Sequence, residues 1–372
     1  MNKYCFLLLI VFFLLFGHNN AAAQLTLQEA FKSHFLIGGA LNGSQFSGQD
    51  KRGAAIAIAQ FNTISPENAL KWGPIHPEPD KYNFEPADRY VEFGVKNNMF
   101  IIGHTLVWHA QTPKWVFEDE KGQQISKEKL LARMRDHIMT VVGRYKGKIK
   151  GWDVVNEALN EDGSLRQSPW MKIIGEEYLA KAFQYAHEAD PDAELYYNDF
   201  SLENEPKRNG AVALIKKLQL QGVRVTAIGT QQHIKMDWPT MGQVDSTIKA
   251  FAALGVQVNV TELDVDVLPA ASRNFGADIS LNFELQEQLN PYKNGLPDSV
   301  QQALAKRYAD LFAVFVKNGT AISRITFWGV TDGDSWLNNW PVRGRTSYPL
   351  LFDRDGKPKP AFDAVVETVI KR

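Results

Sequence analysis

Glu157 and Glu262 each follow a run suited to a β-strand, residues 152–155 and 256–261. A charged side chain straight after such a run stands at the mouth of a core. Either glutamate alone also reads as a first-turn residue complementing the dipole of the next helix. As a pair they read differently, because Asn156 and Thr261 stand beside them and His233 and several tryptophans accompany them. Paired carboxyls suit glycoside hydrolysis. One must be protonated to donate to the leaving oxygen, and the other ionised to attack the anomeric carbon. Rigid, largely apolar indole faces fit the C–H-rich faces of pyranose rings, and Trp108, Trp328 and Trp336 are candidates for that contact. Asn156 suits a hydrogen bond to a sugar 2-hydroxyl, a contact that strengthens in the transition state. His233 suits the orientation of the attacking carboxylate. Trp152 and Trp170 read as core.

Other chemistries have little support. The chain contains no HExxH, no GxSxG elbow and no phosphate-binding loop. Its single cysteine, Cys5, excludes a disulfide framework and a thiolate-rich metal site. No metal and no cofactor is expected. With 41 basic against 42 acidic residues the formal net charge is −1, and no basic stripe points to nucleic acid.

The elements that must position these groups alternate along the chain. Strand-like runs lie at 35–40, 61–65, 100–108, 149–155, 194–198, 225–231, 256–261 and 325–330. Helical periodicity lies between them, for example at 127–145, 178–189, 211–220, 247–254 and 300–316, with a last helix at 361–370. Such alternation argues for βαβ units and a parallel sheet. Eight continuously apolar strand candidates predict a single (β/α)₈ TIM barrel, class α/β. A doubly wound open sheet is the alternative, but no glycine-rich dinucleotide turn follows the first strand. Residues 266–297 read as an insertion-like loop. Nearly every strand candidate runs into polar residues, and in a barrel all strand C-termini share one face, where catalytic groups gather.

Residues 1–23 read as a secretory signal. Lys3 precedes an apolar run at 6–16, too short to span a bilayer, and Ala21-Ala22-Ala23 suits a signal-peptidase site. Removal of the segment would take Cys5 with it. The remaining 24–372 then form one domain, long enough for a large core without disulfides.

The segment Gly151-Trp152-Asp153-Val154-Val155-Asn156-Glu157-Ala158 resembles the acid/base signature of glycoside hydrolase family ten, the endo-1,4-β-xylanases. Val260-Thr261-Glu262-Leu263-Asp264-Val265 resembles that family's nucleophile signature. Further similarities are Ser65-Pro66-Glu67-Asn68-Ala69-Leu70-Lys71-Trp72, Gly103-His104-Thr105-Leu106-Val107-Trp108-His109, Gln231-Gln232-His233 and Phe327-Trp328-Gly329-Val330-Thr331-Asp332. The resemblance covers about residues 38–362. It implies a retaining mechanism, with Glu262 as nucleophile and Glu157 as acid/base. It implies substrate contacts by Glu67, Asn68, Lys71, His104, Trp108, Asn156, Gln231, His233, Trp328 and Trp336. It implies xylan and xylo-oligosaccharides as partners. The signal-like segment predicts export to the periplasm or beyond the cell, with no membrane contact once mature, and a monomer is expected. One departure is visible: Asn198-Asp199-Phe200-Ser201 stands where the family usually has Asn-Asp-Tyr-Asn, which removes a tyrosine hydroxyl. A β-glucanase or mannanase on the same barrel is the nearest alternative. A non-catalytic xylan-binding protein would lack one of the two carboxylates.

Overall fold

Strand β1 (Leu36–Leu41) pairs in parallel with β2 (Thr63–Pro66) on one side and with β9 (Ile322–Phe327) on the other. From β2 the ladder continues through β3 (Phe100–Trp108), β4 (Ile149–Asn156), β5 (Glu194–Asp199) and β6 (Ala227–Thr230). The ring closes where β6 pairs with β8 (Gln257–Asp266), from Ala227↔Gln257 to Thr230↔Val260, and β8 pairs with β9. A short strand β7 (His233–Lys235) lies beside the far end of β8. The result is a closed eight-strand parallel (β/α)₈ barrel, as the alternation predicted. These facts come from a computed structural model that describes residues 25–271 and 280–370. The expected signal segment with Cys5, and part of the 266–297 loop, lie outside the described residues.

The strands are buried almost along their length because helices cover the barrel's outer face. The helix Lys127–Arg144 starts at a Ser126 cap and buries Leu130, Met134, Ile138 and Val141, one helical face. The helix Asp298–Lys317 buries Leu304, Tyr308, Leu311 and Phe315 in the same way. Inside the sheet, close packing is paid for in side-chain size. A Cβ on Gly103 would meet the Trp152 ring at 2.1 Å, and Trp152 is fully buried. Trp152 and Trp170 are core, as expected, at 0% and 1% exposure.

Four boundaries near the site differ from the sequence reading. Strand β8 runs on to Asp266, so Glu262 lies within it, not after it. Strand β9 ends at Phe327, so Trp328 follows the strand and does not belong to it. The 225–231 run breaks after Thr230, where Gln232 takes φ 62° and the chain turns into β7. The helix read at 211–220 begins earlier, at Glu205, with a first turn that holds a buried Lys207.

Candidate active site

Glu157 leaves the end of β4 with its backbone at φ 58°, the left-handed region that non-glycine residues rarely occupy. Its amide donates to the Asn198 carbonyl at 2.9 Å. Its carboxyl is buried, and three donors reach it. Trp108 Nε1 donates to Oε2 at 2.9 Å, and Asn156 Nδ2 and Gln231 Nε2 donate to Oε1 at 3.2 and 3.1 Å.

Glu262 sits inside β8, where alternation puts Glu262 and Asp264 on the same face. Asn198 Nδ2 donates to Glu262 Oε1 at 2.8 Å. His233 Nε2 lies 3.1 Å from Glu262 Oε2, and its Nδ1 lies 3.0 Å from Asp264 Oδ1. Trp336 Nε1 donates to Asp264 Oδ2 at 2.7 Å. Burial opposes protonation of His233, but the two flanking carboxylates, Asp264 first, outweigh it and raise its pKa to about 10. The ring is therefore an imidazolium between two carboxylates. Burial alone would raise the pKa of Glu262. The hydrogen bond from His233, the electrostatic pull of His104 and His233 and the Asn198 bond together hold it below the usual carboxylate range.

A chain of amides joins the two carboxyls. Asn198 Nδ2 also donates to Asn156 Oδ1 at 2.9 Å, and Asn198 Oδ1 accepts from Thr261 Oγ1 at 2.7 Å. Asn198 was not among the residues expected in the site, nor was Asp264. Both were visible as polar residues at strand ends. The spacing 262/264 on one strand was the available signal for Asp264.

The other expected residues gather around this centre. Lys71 is buried, donates to Asn68 Oδ1 at 3.1 Å and stands 5.2 Å from the Trp108 ring centroid. Burial lowers its pKa against the opposing charges of Glu262, Glu67 and Glu157. Glu67 is half-buried, and burial raises its carboxyl above the usual range, with Lys71 opposing and Asp334 adding. Glu67, Trp328 and Trp336 line one cavity together with Asn42 and Asp334. His104 is held by Asp153 Oδ2 at 2.9 Å and meets Trp328 edge-on at 5.6 Å. Trp336 lies 4.8 Å from His233 and stacks on Trp340 at 4.7 Å. Trp108 and Trp328 are more enclosed than open platforms would be, at 8% exposure each. Trp108 contributes its indole N–H, to Glu157 Oε2. Asn68 is exposed at the rim. Phe200, at the departure from the family pattern, has Lys207 Nζ 3.3 Å from its ring centroid. Among the described residues no group of three or more His, Cys, Asp or Glu is arranged to hold a metal ion.

An α/β barrel with a buried, amide-linked carboxyl pair on its strand C-terminal face has the equipment of a glycoside hydrolase. A family model described as "Glycosyl hydrolase family 10" matches residues 26–368. The chain belongs to that family. It is 46% identical over 351 residues to the endo-1,4-beta-xylanase A of Xylanibacter ruminicola, covering 94% of each chain. It is 42% identical over 344 residues to the beta-1,4-xylanase of Dictyoglomus thermophilum, covering 92% of this chain and 90% of that protein. Among solved structures, a GH10 endoxylanase retrieved from a sugarcane soil metagenome superposes with a TM-score of 0.89 at 46% identity, covering 92% of this chain and 99% of the other.

Proposed function

We propose that this protein is a secreted, retaining endo-1,4-β-xylanase. The observation that carries the reading is the unequal environment of the two carboxyls. Glu262 is held ionised by His233, which Asp264 keeps charged, and by Asn198. It is the nucleophile: its carboxylate attacks the anomeric carbon and the glycosidic bond breaks. Glu157 is the acid/base: it gives its proton to the leaving oxygen, then takes one from the water that hydrolyses the glycosyl-enzyme.

Asn156 is suited to the sugar 2-hydroxyl, since its amide already lies between the two carboxyls. Glu67, Asn68, Lys71, His104, Gln231, Trp328 and Trp336 form the contacts to the sugars on the non-reducing side. The xylanase names of the relatives support xylan and xylo-oligosaccharides as substrates. The leader-like residues 1–23 support export, and among the described residues no helix is long and apolar enough to cross a membrane. The mature enzyme begins near Gln24, carries no thiol and acts as a monomer.

The test is a product profile on arabinoxylan, glucuronoxylan and cellulose, with early products followed by proton NMR. Xylo-oligosaccharides released first as the β-anomer are expected. Hydrolysis of cellulose or another glucan without hydrolysis of xylan would overturn the substrate assignment.

A further inference from the structure

The backbone that carries Glu157 is held from a side that the reaction does not use. A left-handed glutamate persists only where its surroundings over-determine it. Here three successive carbonyls, those of Glu157, Ala158 and Leu159, are all satisfied by one residue, Arg166. Its side-chain Nε donates to the Glu157 carbonyl at 2.9 Å, its backbone N–H to that of Ala158 at 2.8 Å, and its Nη2 to that of Leu159 at 2.7 Å. The intervening residues form a tight turn, closed by Asn160 N–H to the Ser164 carbonyl at 2.8 Å. That turn is seated on the helix Glu205–Leu220. A Cβ on Gly210 would meet the Gly163 carbonyl at 2.3 Å, and Glu161 accepts from Lys207 Nζ and Asn204 Nδ2, both at 3.2 Å.

The segment that follows returns to the carboxyl. Trp170 Nε1 donates to the Trp108 carbonyl at 2.9 Å, and Trp108 Nε1 reaches Glu157 Oε2. Glu157 is thus held at both ends, the side chain through Trp108 and the backbone through Arg166.

We propose that Arg166 is a positioning residue for Glu157: its guanidinium, fixed across two carbonyls, sets the backbone direction from which the acid/base carboxyl projects. The proposal rests on the acid/base assignment of Glu157. Arginine suits the task because its planar fork offers several donors in fixed directions, whereas a lysine ammonium is a point charge on a flexible stem. The Arg166 guanidinium bonds to the Glu157 and Leu159 carbonyls, whereas Glu262 is held by Asn198 and His233, so Arg166 acts on one half of the machinery.

That asymmetry supplies the test. Arg166→Lys and Arg166→Met are compared with wild type and Glu157→Gln on xylo-oligosaccharides, whose leaving group needs a proton, and on a dinitrophenyl xylobioside, whose leaving group does not. Melting temperatures are measured alongside. For both Arg166 variants, kcat/KM on xylo-oligosaccharides is expected to fall by roughly tenfold or more, and on the activated substrate by less than about threefold, a fraction of the full acid/base contribution. A merely structural role would lower the melting temperature and reduce both substrates alike, and that result would overturn the proposal. If Arg166→Met does not fold, Arg166→Lys, which keeps the stem and charge, decides on the same criterion. Asymmetry in Glu157→Gln without asymmetry in the Arg166 variants refutes the Arg166 proposal alone. Absence of asymmetry in Glu157→Gln refutes the acid/base assignment, and the Arg166 proposal with it.

Discussion

Asn198→Ala removes the amide that joins the two carboxyls. Its Nδ2 donates to Glu262 Oε1 and to Asn156 Oδ1, and its Oδ1 accepts from Thr261. The side chain is fully buried, so water does not readily replace those bonds. A hydrogen bond to a charged group contributes about 1.5–3 kcal/mol and a neutral one about 0.5–1.5 kcal/mol. If about 2–4 kcal/mol of this is expressed in the transition state, kcat/KM falls roughly 30- to 1000-fold. The pH dependence has a sign as well. Asn198 stabilises ionised Glu262, so its loss raises that carboxyl, and the acid limb of kcat/KM moves to higher pH. The assay is kcat/KM on xylohexaose across the acid range, with a melting curve on the same sample. Asn198→Asp, close in shape, turns a donor into an acceptor facing Glu262 and is expected to lose at least as much. A loss below about threefold with the acid limb unmoved would refute the reasoning that this amide holds the nucleophile.

Glu157→Gln is expected to lose most activity on xylan and far less on aryl xylosides with good leaving groups; equal losses on both would contradict the acid role. The His233 imidazolium contributes stability that is full below its unfolded pKa of about 6.5 and is lost as pH rises towards about 10. Urea midpoints for wild type and His233→Asn are therefore expected to converge between those pH values, and a constant gap would contradict the charged state. Gly103→Ala forces a methyl into the Trp152 ring, and overpacking of this kind costs about 1–3 kcal/mol, readable as a fall in melting temperature. Lys359→Met leaves buried Asp332, which Lys359 Nζ meets at 2.9 Å, without its charge partner, and denaturant unfolding should register a loss of about 3–5 kcal/mol.

The barrel was legible because its strands carry apolar residues on both faces, a pattern that survives without knowledge of the partners. Strand ends were less legible. Glu262 reads as a residue beyond the strand because a charge is unusual within a sheet, yet the C-terminal part of β8 lines the site and His233 and Asn198 satisfy that charge. The first turn of the helix at Glu205 was missed for a related reason. Lys207, Arg208 and Asn209 add no apolar period to the run at 211–220, yet Lys207 is fully buried against Asp199 and the Phe200 ring. The left-handed backbone of Glu157 leaves no trace in Asn156-Glu157-Ala158, since nothing in those residue types demands a positive φ. Asn198 carries an ordinary polar side chain whose partners come from other strands, and Arg166 one whose partners are carbonyls of its own loop, so only the folded backbone reveals what they hold. The twelve residues expected in the site gather on one face of the barrel because sequence motifs at strand ends and barrel geometry converge there.

In the proposed retaining mechanism Glu262 forms a covalent bond to the sugar. The most direct measurement is incubation of the full enzyme with a 2-deoxy-2-fluoro-xylobioside bearing a good leaving group, followed by mass spectrometry of the intact protein and its peptides. The fluorine slows both steps and the leaving group rescues the first, so the intermediate accumulates. One fluoroxylobiosyl adduct per chain is expected, on the peptide containing Glu262, together with loss of activity. No adduct, or an adduct on Glu157, would contradict it.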